Sequence, residues 1–170
     1  MPFAGPDDGT FLILDETGLW QIDQTGQKTI VFTLDHTITS EAELLSDDTG
    51  NRYIYPGEGR SLFAYDPRGN LQWIAYMPGS HLHAPRLGIG SGRYLYALST
   101  DGQLLAYDMV DGRLLEQFVL YNGGNDGSPT ARWLSVRPDD IVRFGSGYLS
   151  IVTLDGLVLT DEADPANGGN

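Results

Sequence analysis

One set of turn residues returns along this chain at an almost constant interval, and only a fold built from repeated units accounts for it. Asp23, Asp66 and Asp108 stand 43 and 42 residues apart, and Gly26, Gly69 and Gly112 stand 43 and 43 apart. Around each pair lies the same order of short apolar or alternating runs separated by turns of two to four residues. Residues 11–14, 19–23 and 28–34 make the first set, 53–55, 61–66 and 71–76 the second, and 94–98, 103–108 and 113–118 the third. A fourth begins with 148–152 and 157–161. Gly102 and Gly156 are 54 apart, so that interval carries an insertion, and the Gly-rich stretch 121–129 is where it fits. Helical periodicity is nearly absent; only residues 40–45 suit a helical turn.

A period of about 40–45 residues with four short strands per unit is that of a β-propeller blade, a twisted four-stranded antiparallel sheet packed on both faces. The middle strands are accordingly apolar on both sides, as 94–98 and 104–107 are. Asp101-Gly102, Asp111-Gly112 and Asp155-Gly156 supply the positive φ that tight hairpin turns require. The expected fold is therefore all-β, a propeller of about four blades. The repeats lie near 10–34, 39–76, 84–120 and 130–161, with an N-terminal extension over 1–9 and a disordered tail or linker over 162–170. Strands are expected near 84–89, 132–136, 141–144, 148–153 and 157–160 as well as in the runs above. The first repeat shows no inner strand ahead of Phe11, and the last none after Asp161. Incomplete end blades imply a partial or half propeller, completed by a second copy or a covalent neighbour, or else an irregular four-bladed ring.

Within the repeats the pattern Ala-x-Asp-x-x-(x)-Gly-x-x-x-Trp recurs. Ala64-Tyr-Asp66-Pro-Arg-Gly69-Asn-Leu-Gln-Trp73 carries it nearly whole. Ala106-Tyr-Asp108-Met-Val-Asp-Gly112 has Glu116 at the tryptophan position, and Gln21-Ile-Asp23-Gln-Thr-Gly26 has Ile30 there. This resembles the PQQ-like (quinoprotein-type) β-propeller repeat family, which includes quinoprotein alcohol dehydrogenases and outer-membrane assembly lipoproteins of the BamB type. The resemblance covers roughly residues 11–161. It implies that Asp23, Asp66, Asp108 and Asp161 tie down the turn after a third strand, that the glycine admits the bend into the outer strand, and that Trp73 packs between blades. A side chain repeated in every blade marks no single site. The resemblance also favours a periplasmic or extracellular setting, although the opening residues show no basic flank and apolar run of a signal peptide. Quinone-binding members use a vicinal disulfide and a calcium-coordinating set; with no cysteine, this chain is expected to bind neither PQQ nor Ca²⁺ and to carry no cofactor.

Charge narrows the partners. Ten Lys+Arg against 23 Asp+Glu give a formal net charge of -13, which repels phosphate and argues against nucleic acid. No run approaches the ~20 apolar residues of a membrane helix, so membrane insertion is not expected. His81 and His83 are the one pair with metal-ligand spacing: on a strand, i and i+2 share a face and can meet one Zn²⁺, with His36 or a carboxylate as third ligand. The same pair also fits a surface loop after Pro78-Gly79 with two ordinary histidines. The turns 46–51 and 121–128 have the oxygen-rich make-up that Ca²⁺ accepts, without EF-hand spacing, and equally suit plain exposed loops. Gly88-Ile-Gly90-Ser-Gly92 lies between strands rather than opening a helix, so it is a hairpin and no phosphate cradle. Gly145-Ser-Gly147 is one residue short of a serine-nucleophile elbow.

No convergent polar cluster emerges, and no catalytic residue is assigned. The expected function is a non-catalytic binding or scaffold module for a protein partner or a second copy of itself. The alternative is part of a quinoprotein-like dehydrogenase, or another propeller enzyme, completed by further blades.

Overall fold

The computed structural model describes residues 2–4, 10–78, 85–90, 93–99, 103–119, 133–136, 142–145, 148–152 and 162–163. They form four four-stranded antiparallel sheets, each a simple meander. The first holds β1 (Pro2–Ala4), β2 (Phe11–Asp15), β3 (Gly18–Ile22) and β4 (Lys28–Thr33). The second holds β5 (Glu43–Ser46), β6 (Arg52–Tyr55), β7 (Ser61–Tyr65) and β8 (Leu71–Tyr76). The third holds β9 (Arg86–Ile89), β10 (Tyr94–Leu98), β11 (Gln103–Asp108) and β12 (Leu114–Val119). The fourth holds β13 (Trp133–Val136), β14 (Val142–Gly145), β15 (Tyr148–Val152) and β16 (Glu162–Ala163). The first two sheets make one compact unit, residues 1–76, and the last two another, residues 77–170.

Each of the first three sheets shows the same irregularity. The fourth strand holds one residue more than its partner needs: Val31 opposite Leu19/Trp20, Gln72 opposite Ala64/Tyr65 and Leu115 opposite Ala106/Tyr107. A bulge of this kind bends the strand and adds local twist. The outer strand of each of these three repeats is thus shaped by the segment just after the Asp…Gly turn.

In the first unit the two sheets meet face to face. Leu12, Leu14, Leu19 and Phe32 of the first pack with Ala42, Leu44, Ile54 and Tyr65 around the second, flanked by Val31, Leu34, Ile38 and Phe63. Phe32 stacks on Tyr65 at 4.8 Å between ring centroids. Its ring also lies against Gly69, where a built Cβ would stand 2.5 Å from the Phe32 Cβ. Gly69 therefore serves twice: its φ of 84° suits glycine, and its missing side chain admits the neighbouring sheet. Burial of each large side chain contributes about 1.5–3 kcal/mol, so this cluster outweighs any single turn hydrogen bond.

The opposite face of the second sheet carries Tyr53, Tyr55, Leu62, Ala64, Trp73 and Ala75, all buried. Tyr53, Ala64 and Trp73 lie in one cross-strand row. The small alanine lets the two flanking rings approach to 5.8 Å. In the second unit Tyr96, Leu98, Leu104 and Ala106 of the third sheet form a core with Tyr94, Phe118 and, from β13, Leu134 and Val136.

Several sequence expectations change. Residues 2–4, assigned to an N-terminal extension, pair with β2 as the inner strand that the first repeat was expected to lack. Residues 40–45 hold a turn and then β5, not a helical turn. Pairing of Glu43–Ser46 with β6 overrides the helix-prone Glu-Ala-Glu-Leu-Leu. Glu162 and Ala163, assigned to the tail, pair with Leu149 and Tyr148, so the last sheet has its fourth strand. The repeat alignment equates 148–152 with 94–98, a second strand; in the structure it is the third of its sheet. Residues 157–160 and Asp161 lie outside the described residues, as do Asp101-Gly102 and Asp155-Gly156.

Two predictions follow from this packing. Trp73 is 8 % exposed, and Trp73→Ala is expected to cost about 3–5 kcal/mol in denaturant unfolding, with Trp20→Ala, half-buried, costing less. A Trp73→Ala effect near that of a surface change, under about 1 kcal/mol, would place the register wrongly. Gly26 and Gly69 share φ values of 82° and 84°, but nothing lies within 4 Å of a Cβ built on Gly26. Gly26→Ala should therefore cost only the backbone strain of about 1–2 kcal/mol, and Gly69→Ala clearly more.

Candidate functional site

In a meander, successive turns fall at alternate ends of the strands. In the first unit the turns after β3, β5 and β7 share one end, and each begins with an aspartate. Asp23 Oδ1 accepts from the Thr25 N–H at 2.8 Å, the Thr25 hydroxyl at 2.6 Å and the Gln27 N–H at 2.9 Å. Asp66 Oδ1 accepts from the Arg68 and Asn70 N–H groups, and its Oδ2 from the Asn70 side-chain amide at 2.8 Å. Asp47 gathers the most. Its Oδ1 accepts from the Thr49 N–H and hydroxyl and the Asn51 N–H, and its Oδ2 from Asn51 Nδ2 at 2.9 Å and the Tyr53 hydroxyl at 3.0 Å. Backbone bonds close each turn: Gly26, Gly50 and Gly69 donate their N–H to the carbonyl of the leading aspartate. The third sheet repeats the device with a turn one residue longer, in which Asp108 accepts from the Val110 N–H and faces Arg93 at 3.6 Å.

These bonds fix the electrostatics of that end. Hydrogen bonds from Thr25 and Gln27 hold Asp23 below the usual carboxylate range, and those from Asn70 and Arg68 do the same for Asp66. Burial opposes ionisation of Asp47, but its five donors outweigh burial and the shift is again downward. Arg52 sits between two of the turns, donating to the Pro67 carbonyl at 3.3 Å with its guanidinium over the Phe32 ring. In turn 46–51, a sequence candidate for Ca²⁺, the Asp47 carboxylate is thus turned inward on its own donors, while Asp48 is exposed. Turn 121–128 lies outside the described residues.

At the other end, residues 34–42 cross from the first sheet to the second and rest on residues 56–60. The Thr39 N–H donates to the Pro56 carbonyl at 2.9 Å, and a side chain at Gly57 would collide with the Thr39 hydroxyl. His36 stacks on Phe63 at 4.0 Å between ring centroids, and burial lowers its pKa against the opposing charge of Asp35. Burial and then Asp35 push the Tyr65 phenol up to about 12. Burial, Glu41 and Glu58 raise that of Tyr55. His81 and His83 lie outside the described residues. Among the described residues no three His, Asp or Glu side chains converge in a metal-binding group.

Two surfaces escaped the sequence reading. The outer strand β8 exposes Leu71 (49 %), Ile74 (55 %) and Tyr76 (60 %), and its six residues include no charge. The outer strands β4 and β12 carry Lys28 and Glu116. Arg60 Nη1 donates to the Tyr76 hydroxyl at 2.9 Å beside the exposed row. The readable signal was the missing charge, which a core strand also shows. The second surface is the outward face of the first sheet, where Lys28 Nζ lies 4.0 Å over the Trp20 ring and bridges to Asp15 at 3.1 Å. Asp15 also accepts from the Trp20 indole N–H and the Thr17 N–H and hydroxyl, and these bonds, led by the hydroxyl, hold it far below the ordinary range.

The lowered carboxylates set a pH dependence. A group whose folded pKa lies below its unfolded value stabilises the fold above the unfolded pKa, here 3.8, and loses that contribution as pH falls through the folded pKa. Asp47→Asn should cost about 2 kcal/mol at pH 7 through weakened turn bonds, and the gap from the native chain should narrow as pH falls below about 4. Urea titrations at pH 7 and pH 3 check the sign.

No family model and no curated protein sequence matches the chain. Among the described residues no helix is long and apolar enough to cross a membrane. Solved structures do match. A streptogramin B lyase aligns with TM-score 0.70 at 16% identity, over 98% of this chain and 55% of its own. Virginiamycin B lyase from Staphylococcus aureus aligns with TM-score 0.72 at 14% identity, over 98% and 56%. BamB from Moraxella catarrhalis aligns with TM-score 0.69 at 17% identity, over 95% and 48%. The chain spans about half the length of these structures, and identities this low speak for the fold alone. With four meander sheets, the first three in register with the sequence repeat, the chain has a β-propeller fold, similar at the level of fold to BamB and the streptogramin B lyases.

Proposed function

We propose that the chain is a non-catalytic propeller module that binds another protein, with the outer strand β8 as the contact surface. The observation that supports it most is the uncharged, solvent-facing row of Leu71, Ile74 and Tyr76. Outer strands of soluble proteins are ordinarily guarded by charge, and an apolar unguarded one is suited to pairing with a partner. The carboxylates at one end of the first unit support the same reading: they are engaged by their own turns and rigidify the frame instead of facing a substrate. The overall charge of -13 adds a preference for basic or neutral partners. The BamB likeness supports a fold used in assembly, without naming a partner for this chain. The likeness to two lyases, each about half spanned by this chain, supports a second reading: one portion of a propeller enzyme.

The test is site-specific photocrosslinking in cells that make the protein. A photoreactive residue at Ile74 should give one discrete polypeptide adduct, and the same residue at the exposed Asp48 should not. Equal labelling at both positions, or none at Ile74, counts against β8 as the contact surface. Turnover that appears only when the chain is joined to further blades would favour the enzyme.

A further inference from the structure

The exposed row on β8 lies on the face of the second sheet that the first sheet already occupies. Phe63 and Tyr65 of β7 pack against the first sheet, and each stands opposite one member of the row: Phe63 opposite Ile74, Tyr65 opposite Leu71. Tyr76, opposite Ser61, falls on the same side. The reverse side of β8 holds Trp73 and Ala75, both buried. What leaves the row bare is a stagger between two sheets of one unit. Phe32 of β4, the edge strand of the first sheet, stacks on Tyr65 of β7, and the Arg52 guanidinium of β6 lies 6.0 Å from its ring. The last strand of the first sheet thus lies over β6 and β7, and β8 extends one strand further out. Exposure on this face rises across that step from 7 % at Tyr65 to 49 % at Leu71, its cross-strand neighbour. The first sheet is one strand short of covering the second.

A step of this shape selects its occupant. Its wall is the edge of β4, whose outer N–H and C=O groups an extended segment can satisfy and a helix cannot. The one charge of β4, Lys28, stands at its first residue and is bridged to Asp15. The floor is Leu71, Ile74 and Tyr76, an apolar row ~17 Å long on which a strand beside β4 sets alternate side chains. At one end of the row Arg60, which is exposed, donates to the Tyr76 hydroxyl at 2.9 Å and makes no ion pair among the described residues. A carboxylate on the segment supplies that missing partner. The strands of the first sheet pair antiparallel, so a further strand runs opposite to β4 and begins at the Arg60 end. We propose that the partner contributes an extended segment that joins β4 as a fifth strand, lays alternate apolar side chains on the β8 row, and offers a leading Asp or Glu side chain to Arg60. This rests on the reading of β8 as the contact surface and names what that surface takes.

The probe is a fluorescein-labelled peptide, Glu-Thr-Val-Thr-Val-Thr with both ends blocked, titrated with the full 170-residue chain and read by anisotropy. Saturable binding is expected. Arg60→Gln in the chain, or Gln for Glu in the peptide, should each weaken it about tenfold, and the two together no more than either alone. Arg60 is exposed, and unchanged circular dichroism checks that its substitution leaves the fold intact. N-methyl groups on one alternate set of peptide amides should abolish binding and on the other set leave it, because a strand bonds β4 along one edge. In cells, a photoreactive residue at Thr29, exposed and on the second-sheet side of β4, should label the same short stretch of the partner as one at Ile74. No saturable peptide binding, additive losses from the two substitutions, or indifference to N-methyl placement overturns the added strand and leaves β8 as the contact surface. An adduct at Ile74 with none at Thr29 does the same. No adduct at Ile74 removes the contact surface and the added strand with it.

Discussion

Leu44, Ile54 and Tyr65 lie on one face of the second sheet and Tyr53, Leu62 and Trp73 on the other, and both sets are buried. That double burial is the constraint on which everything else rests. A sheet with one wet face can end a structure; a sheet with two dry faces needs a neighbour on each side. The residues at the contact follow from it. Phe32 reaches across to Tyr65, Gly69 gives up a side chain to admit Phe32, and Ala64 gives up bulk so that Tyr53 and Trp73 can meet above it. Large and small residues alternate across the row, as close packing requires.

Against this apolar frame the polar chemistry is local. Asp23, Asp47 and Asp66 each accept from donors within six residues of themselves, so the negative charge of the chain is partly built into its turns. The opposite end of the first unit has a different character. There the phenols of Tyr55 and Tyr65 are held protonated by burial and by Glu41, Glu58 and Asp35, and His36 stacks on Phe63.

The repeat was legible because turn chemistry is written in residues that few other positions require. Asp66 and Gly69 could be read as a turn from spacing alone, and the structure puts them where a third strand ends. The inner strands were not legible. Pro2–Ala4 is short and holds one large apolar residue, and Glu43–Ser46 follows a stretch with helical composition; both become strands through pairing with β2 and β6. The site was less legible than the fold. The oxygen-rich turn 46–51 reads equally as a cation loop or a self-bonded one, because sequence does not say whether a carboxylate faces its own N–H groups. The exposed row on β8 was hidden for a related reason: an uncharged alternating strand looks the same whether its neighbours cover it or leave it bare.

The self-sufficiency of the aspartate turns bears on how such a chain can have arisen. A five-residue turn whose carboxylate, N–H groups and hydroxyls satisfy one another asks nothing of the rest of the molecule. Copied in tandem, it brings no orphaned donor into its new surroundings, so the newly duplicated unit has only its sheet faces to reconcile with its neighbours. In a gene that lengthens by duplication, that reduces the adjustment after each copying event to a matter of size: which ring stays large, and which residue beside it shrinks to glycine or alanine.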